Sequence, residues 1–134
     1  MTIDQQILAT EKALLLVALG FIEALRHRAI HEDEAFYTVG IPRIFAMMQT
    51  YGISQEVADV VSALDGYAPL SQMCSEGEWQ SEMERAAGHC RALLAAMPLQ
   101  TFIPPNDFRW MPCLRLLEEA QQIRGTDPAR SIRP

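Results

Sequence analysis

Two histidines, His27 and His31, stand four residues apart, the spacing that sets two imidazoles on one helical face as metal-binding helices do. Glu32 and Glu34 follow closely. The same stretch argues against a cation site. Arg26 and Arg28 flank His27, the glutamate of an HExxH pattern is missing, and a helix break expected near residues 28–31 would turn the rings apart. The pair therefore reads as exposed helix-end and cap histidines, with no metal. His89 precedes Cys90, but helical neighbours point about 100° apart and cannot serve as base and nucleophile to one another. Cys90 falls on an apolar stripe and reads as a small core residue. Glu78 and Glu82 share a face at i and i+4, with Glu84 close by; lacking a partner motif, they read as a solvated helix surface. The chain holds no Gly-rich phosphate loop, no GxSxG and no Walker motif, so we expect no catalytic residue and no cofactor.

Charge placement says more than any of these motifs. The chain carries a formal net charge of −6. Residues 32–84 contain ten acids, Glu32, Asp33, Glu34, Glu56, Asp59, Asp65, Glu76, Glu78, Glu82 and Glu84, against the single base Arg43. Residues 1–31 balance to zero, and residues 85–134 carry four acids and seven arginines. An acidic stretch of this kind attracts a basic partner and speeds its docking. The arginines of the C-terminal part suit bidentate carboxylate pairing, within the chain or in a second copy. The acidic balance excludes the broad basic footprint of a nucleic-acid binder. Trp110 and Met111, beside Phe108 and the Pro104-Pro105 bend, are the candidates for an exposed apolar anchor.

Helices must position these groups. Ile7, Leu8, Leu14, Leu15, Ala18, Leu19, Ile22 and Leu25 follow helical spacing and predict a first helix over about 4–27. Gly20 inside it suggests a close crossing by another helix. A short helix is expected from His31 or Glu32 to Val39, its three leading acids favoured by the helix dipole, then a stop at Gly40. Pro42 suits the first turn of a third helix carrying Ile44, Phe45, Met47 and Met48 and closing at Gly52. Ser54 reads as the N-cap of a helix to about Leu64 whose inner face holds Val57, Val60, Val61 and Leu64. Residues 65–77 hold Gly, Pro and Ser and read as a loop with room for one helical turn. A long helix over 78–97 carries Trp79, Met83, Ala86, Cys90, Leu93, Leu94 and Met97, and Pro98 stops it. Leu99 to Asp107 should be extended, with Phe102 and Ile103 on the core. A last helix over 108–123 meets Pro112 and ends at Gly125. Most of the seven methionines are expected to fill core.

These elements give an all-α, single-domain bundle of five to six helices over residues 1–125, with a C-terminal tail at 126–134. The length of 134 residues suits one core, and 49% hydrophobic residues with mean hydropathy near zero rule out wholesale disorder. Cys74, Cys90 and Cys113 form neither a CxxC pair nor a disulfide framework, which fits reduced thiols. The N-terminal residues lack a basic region before the apolar run, and the run Ala13 to Ile22 is ten residues, against about 20 for a membrane span. The expectation is a cytoplasmic protein without membrane contact.

Leu14-Leu15-Leu16, Leu19-Gly20-Phe21-Ile22-Glu23-Ala24-Leu25, Ile30, Asp33-Glu34-Ala35, Pro42 and Tyr51-Gly52-Ile53-Ser54-Gln55-Glu56-Val57 together resemble a family of small bacterial all-helical proteins of unknown function. The resemblance covers about residues 8–97, and the segment from Leu99 onward departs from it. Such proteins are similar in class to the immunity proteins of bacterial toxins. That similarity implies a non-enzymatic binding protein whose acidic block contacts the cationic surface of a cognate toxin. The alternatives are a helical adaptor, chaperone-like protein or homodimer, and third a metal-dependent enzyme centred on His27 and His31.

Overall fold

The computed structural model describes residues 2–35, 37–38, 42–99, 101 and 119–123. Helix α1 spans Ile3–Arg26. A capping box opens it: the Thr2 hydroxyl accepts from the Gln5 amide at 3.2 Å, and the Gln5 side chain accepts from the Thr2 amide at 2.8 Å. The predicted stripe holds, for Leu15, Ala18, Ile22 and Leu25 are buried and Ile7, Leu14 and Leu19 pack against them. Gly20 is a correction. It is exposed, and a Cβ built there meets nothing within 4 Å among the described residues, so no close crossing explains it.

Beyond α1 the chain makes a tight corner. The Arg28 amide donates to Leu25 O and the Ala29 amide to Ala24 O, the paired bonds of a Schellman ending. Arg28 sits at the left-handed position with φ 56°, where glycine is the usual occupant. Helix α2 (Glu32–Ala35) places its three acids in its first turn as expected. Helix α3 (Pro42–Tyr51) starts on its proline and ends at Gly52, whose φ of 91° is left-handed too.

Helix α4 (Gln55–Ser62) buries Val57, Val60 and Val61 as the 3–4 spacing predicted, and Leu64 is buried in the 3₁₀ turn Ala63–Gly66 that follows. Ser54 is its N-cap residue but makes no side-chain cap bond. Its hydroxyl donates instead to Glu11 Oε2 of α1 at 3.1 Å. The loop expected over 65–77 is corrected by helix α5 (Tyr67–Met73). Pro69 falls in the first turn, where the missing N–H breaks no bond, and so the proline that suggested a loop is compatible with helix.

Helix α6 (Glu76–Ala95) opens on a second capping box, Ser75 with Glu78, two residues earlier than predicted. It runs antiparallel to α1. Gln80 Nε2 donates to Arg26 O (2.9 Å), Cys90 Sγ to Leu15 O (3.2 Å), and Lys12 Nζ reaches the Pro98 and Leu99 carbonyls and Thr101 Oγ1 at 2.8–3.1 Å. Trp79, Met83, Ala86 and Cys90 are buried as expected; Leu93, Leu94 and Met97 are partly so. The methionines divide: Met48 and Met83 are core and Met97 packs against it, whereas Met47 is 56% and Met73 84% exposed.

All the elements described are helical, and the fold is an all-α bundle. By packing, the chain divides into the units Met1–Thr101 and Phe102–Pro134. The first holds α1 to α6. In the second, residues 119–123 are helical. Phe102, Ile103, Pro112, Cys113, Gly125 and the expected boundary at residue 125 lie outside the described residues. No helix among the described residues is long and apolar enough to cross a membrane.

Candidate partner-binding surface

The ten acids do not form one field. The antiparallel pairing of α1 with α6 carries Arg26 and Arg28 to the acids of α6. Arg28 Nη2 lies 2.6 Å from Glu76 Oε2 and Arg28 Nη1 lies 3.4 Å from Glu32 Oε1, so a single guanidinium joins α1, α2 and α6. Its Cζ also lies over the buried Trp79 ring, 4.8 Å from the centroid, a cation–π contact. Tyr67 meets the same indole edge-on at 6.3 Å. The Trp79 Nε1 donor is buried without a hydrogen-bond partner among the described residues.

A second cluster forms further along the same seam. Arg26 lies 2.5 Å from Glu84, and Arg91 approaches Glu23 at 3.4 Å and Glu84 at 3.7 Å. Glu82 is held by Arg85 of its own helix, with Nε at 3.0 Å. The arginines of the C-terminal part thus do pair internally where they are described, at Arg85 and Arg91. Glu78 closes the capping box with Ser75.

These contacts shift the carboxyls. Hydrogen bonds, first from its own backbone amide and then from Ser71, hold Glu32 below the usual carboxylate range. Gln80 and then Arg28 lower Glu76, the Ser75 amide lowers Glu78, and Arg85 lowers Glu82. Burial pushes the Tyr67 phenol up to about 12 and raises the Cys90 thiol as well.

The remaining acids differ in kind. Asp33 and Glu34 are exposed on α2, Glu56 and Asp59 on α4, and Asp65 on the 3₁₀ turn. Asp59 accepts from Gln55 Nε2 at 2.6 Å, and Asp33 lies 3.5 Å from His31 Nδ1. Glu34, Glu56 and Asp65 make no ion pair among the described residues. His27 and His31 are exposed helix-end groups as read from the sequence: His27 is the C-cap of α1, and His31 Nδ1 accepts from the Asp33 amide at 3.1 Å. Cys90 is buried. Trp110 and Met111 lie outside the described residues.

Sequence reasoning treated Arg28 only as a charge that repels metal and missed its organising role. The readable signal was a helix end with no glycine, Arg26-His27-Arg28, which requires a side chain to hold a left-handed residue in place. Comparison with known proteins finds no family model that matches the chain, and no curated protein or solved structure that matches it.

Proposed function

We propose that the chain is a non-enzymatic binding protein for a basic protein partner, most concretely a bacterial immunity protein that neutralises a cognate basic toxin. The observation that supports this reading is the layer built by α2, the 3₁₀ turn and α5, which pack on one another. These segments contain no lysine or arginine, and they expose Asp33, Glu34 and Asp65. The nearest arginine at the corner, Arg28, is already engaged by Glu32 and Glu76. Met73 on α5 and Tyr37 just after α2 are 84% and 73% exposed, and supply the apolar contact that acids alone cannot. Unneutralised acids around exposed apolar side chains suit a cationic surface, with the charges setting encounter rate and the apolar groups setting residence.

The interface is therefore narrower than the ten acids of the sequence. Glu76, Glu78, Glu82 and Glu84 serve the fold first; Asp33, Glu34 and Asp65 are offered to the partner. Co-purification with the product of the adjacent gene, together with rescue of cells expressing that product, tests the reading. Replacing Asp33, Glu34 and Asp65 by lysine should slow association by about 10-fold or more at low salt. A triple variant that associates as fast as the parent, or an adjacent gene product that is neither bound nor neutralised, overturns it.

A further inference from the structure

A second site lies away from the ion-pair seam. A cleft of about 210 Å³ opens between α4 and α6, with Ile22 of α1 and Val60 among its apolar lining. Its polar groups carry opposite signs on the two sides. Asp59 projects from α4; Arg85 and His89 come from α6. Tyr67 also lines it, and this residue is only 5% exposed. Its hydroxyl makes no hydrogen bond among the described residues and is not closed off from solvent, so this donor is open to the cleft.

The bland alternative is that Asp59 and Arg85 simply neutralise one another across the gap. They do not. Asp59 takes Gln55 from its own helix at 2.6 Å, Arg85 takes Glu82 from its own helix, and no ion pair spans the cleft among the described residues. Glu82 occupies the Nε and Nη2 side of the Arg85 guanidinium, and Nη1 has no partner among the described residues. The cleft therefore presents donors from Arg85, His89 and Tyr67 opposite a carboxylate acceptor, over an apolar floor.

The geometry points to a binding site for a small amino-carboxylate, its carboxylate received by Arg85, His89 and the Tyr67 hydroxyl and its ammonium by Asp59. A plain anion meets the like charges of Asp59 and Glu82, and a plain cation leaves Arg85 Nη1 and the Tyr67 hydroxyl unmatched, so the cleft selects a molecule bearing both groups. The apolar floor takes the short methylene chain between them. This site is independent of the partner-binding reading. It is probed with small molecules, and its residues are not those reversed above.

The experiment uses γ-aminobutyrate, butyrate and butylammonium as probes, with NMR detection of the His89 imidazole and the Tyr67 ring in the full chain. Aminobutyrate should shift both rings saturably with Kd on the order of 1 mM, at least ~10-fold tighter than either singly charged probe. Asp59→Asn should reduce aminobutyrate to the level of butyrate. Arg85→Gln should abolish the response, Tyr67→Phe should weaken it while keeping the ring in place, and Arg43→Gln should leave it unchanged. Both charge variants alter exposed side chains. Equal responses to the three probes, shifts that do not saturate, or aminobutyrate binding unaffected by Asp59→Asn overturn the proposal.

Discussion

Two corners of this chain use the same backbone conformation and reach it by opposite means. Gly52 ends α3 with φ 91°, and Arg28 follows α1 with φ 56°. Glycine adopts the left-handed region without steric cost, whereas an L side chain there costs roughly 1–2 kcal/mol. At the α3–α4 corner nothing further is required. The nearest atom to a Cβ built at Gly52 is Ile7 Cδ1 at 3.6 Å, ordinary contact. At the α1–α2 corner the cost is offset by the side chain that causes it. The Arg28 guanidinium stacks on Trp79 and pairs with Glu32 and Glu76, so the strained residue becomes the joint between three helices. A glycine makes a corner; an arginine makes a corner and says what it must touch.

The largest expected effect comes from removing the surface on which Arg28 rests. Trp79→Ala should destabilise the fold by about 3–5 kcal/mol in urea melts, since the ring is 1% exposed. In that background Arg28→Ala should cost about 0.5–1 kcal/mol less than in the parent, the coupling expected of a cation–π contact. An additive double mutant would mean that the stacking contributes nothing.

The two left-handed positions should then respond with opposite signs. Gly52→Ala should destabilise by about 1 kcal/mol, because the residue is forced to a positive φ although space exists for its methyl group. Arg28→Gly should be more stable than Arg28→Ala by about the same amount, both having lost the guanidinium and only one retaining strain. Equal stability of the two Arg28 variants would show that the corner relaxes out of the left-handed region once the side chain is gone. Gly20 is the control with no special conformation. Exposed in mid-helix with open space around its Cα, it should gain about 0.5–1 kcal/mol on Gly20→Ala, read as a rise in Tm.

The smallest effect distinguishes the corners by pH. Glu32 and Glu76 at the Arg28 corner have depressed pKa values in the folded chain. A depressed carboxyl contributes stability that is present above its unfolded pKa of about 4.3 and is lost as pH falls through the folded value. Stability should therefore decline below about pH 4.3, and Arg28→Gly should flatten part of that decline while Gly52→Ala leaves its shape unchanged. Parallel pH profiles for the two variants would remove Arg28 as a source of the acid dependence.

The contrast also marks what a one-dimensional reading can reach. Gly52 was legible as a helix stop because its chemistry is local. Arg28 was not, because its partners Trp79 and Glu76 are some fifty residues away in the chain. The helices themselves followed from periodicity: Leu15, Ile22, Val57, Val61, Met83 and Cys90 were expected inside and are buried. Helix α5 was hidden by its composition, since a proline tolerated in the first turn looks in sequence like one that breaks a helix. Met47 sits on a predicted helix beside apolar neighbours and is nonetheless exposed, because exposure depends on which face the other helices cover. Of the proposed surface, Asp33, Glu34 and Asp65 were among the ten acids named from charge. The cleft residues Tyr67, Arg85 and His89 were not, for they meet only when α4, α5 and α6 pack.

The sequence by itself determined the longer helices, their inward faces and the total charge, because repeat spacing, capping residues and composition act within a few residues. Only the tertiary structure decided where that charge is spent. Residues 32–84 read as a nearly uncompensated acidic block until α1 lies antiparallel to α6 and brings Arg26 and Arg28 against Glu84 and Glu76. Electrostatic pairing falls off over a few ångströms of space rather than along the chain, so the acids left for a partner could be identified only after the helices had met.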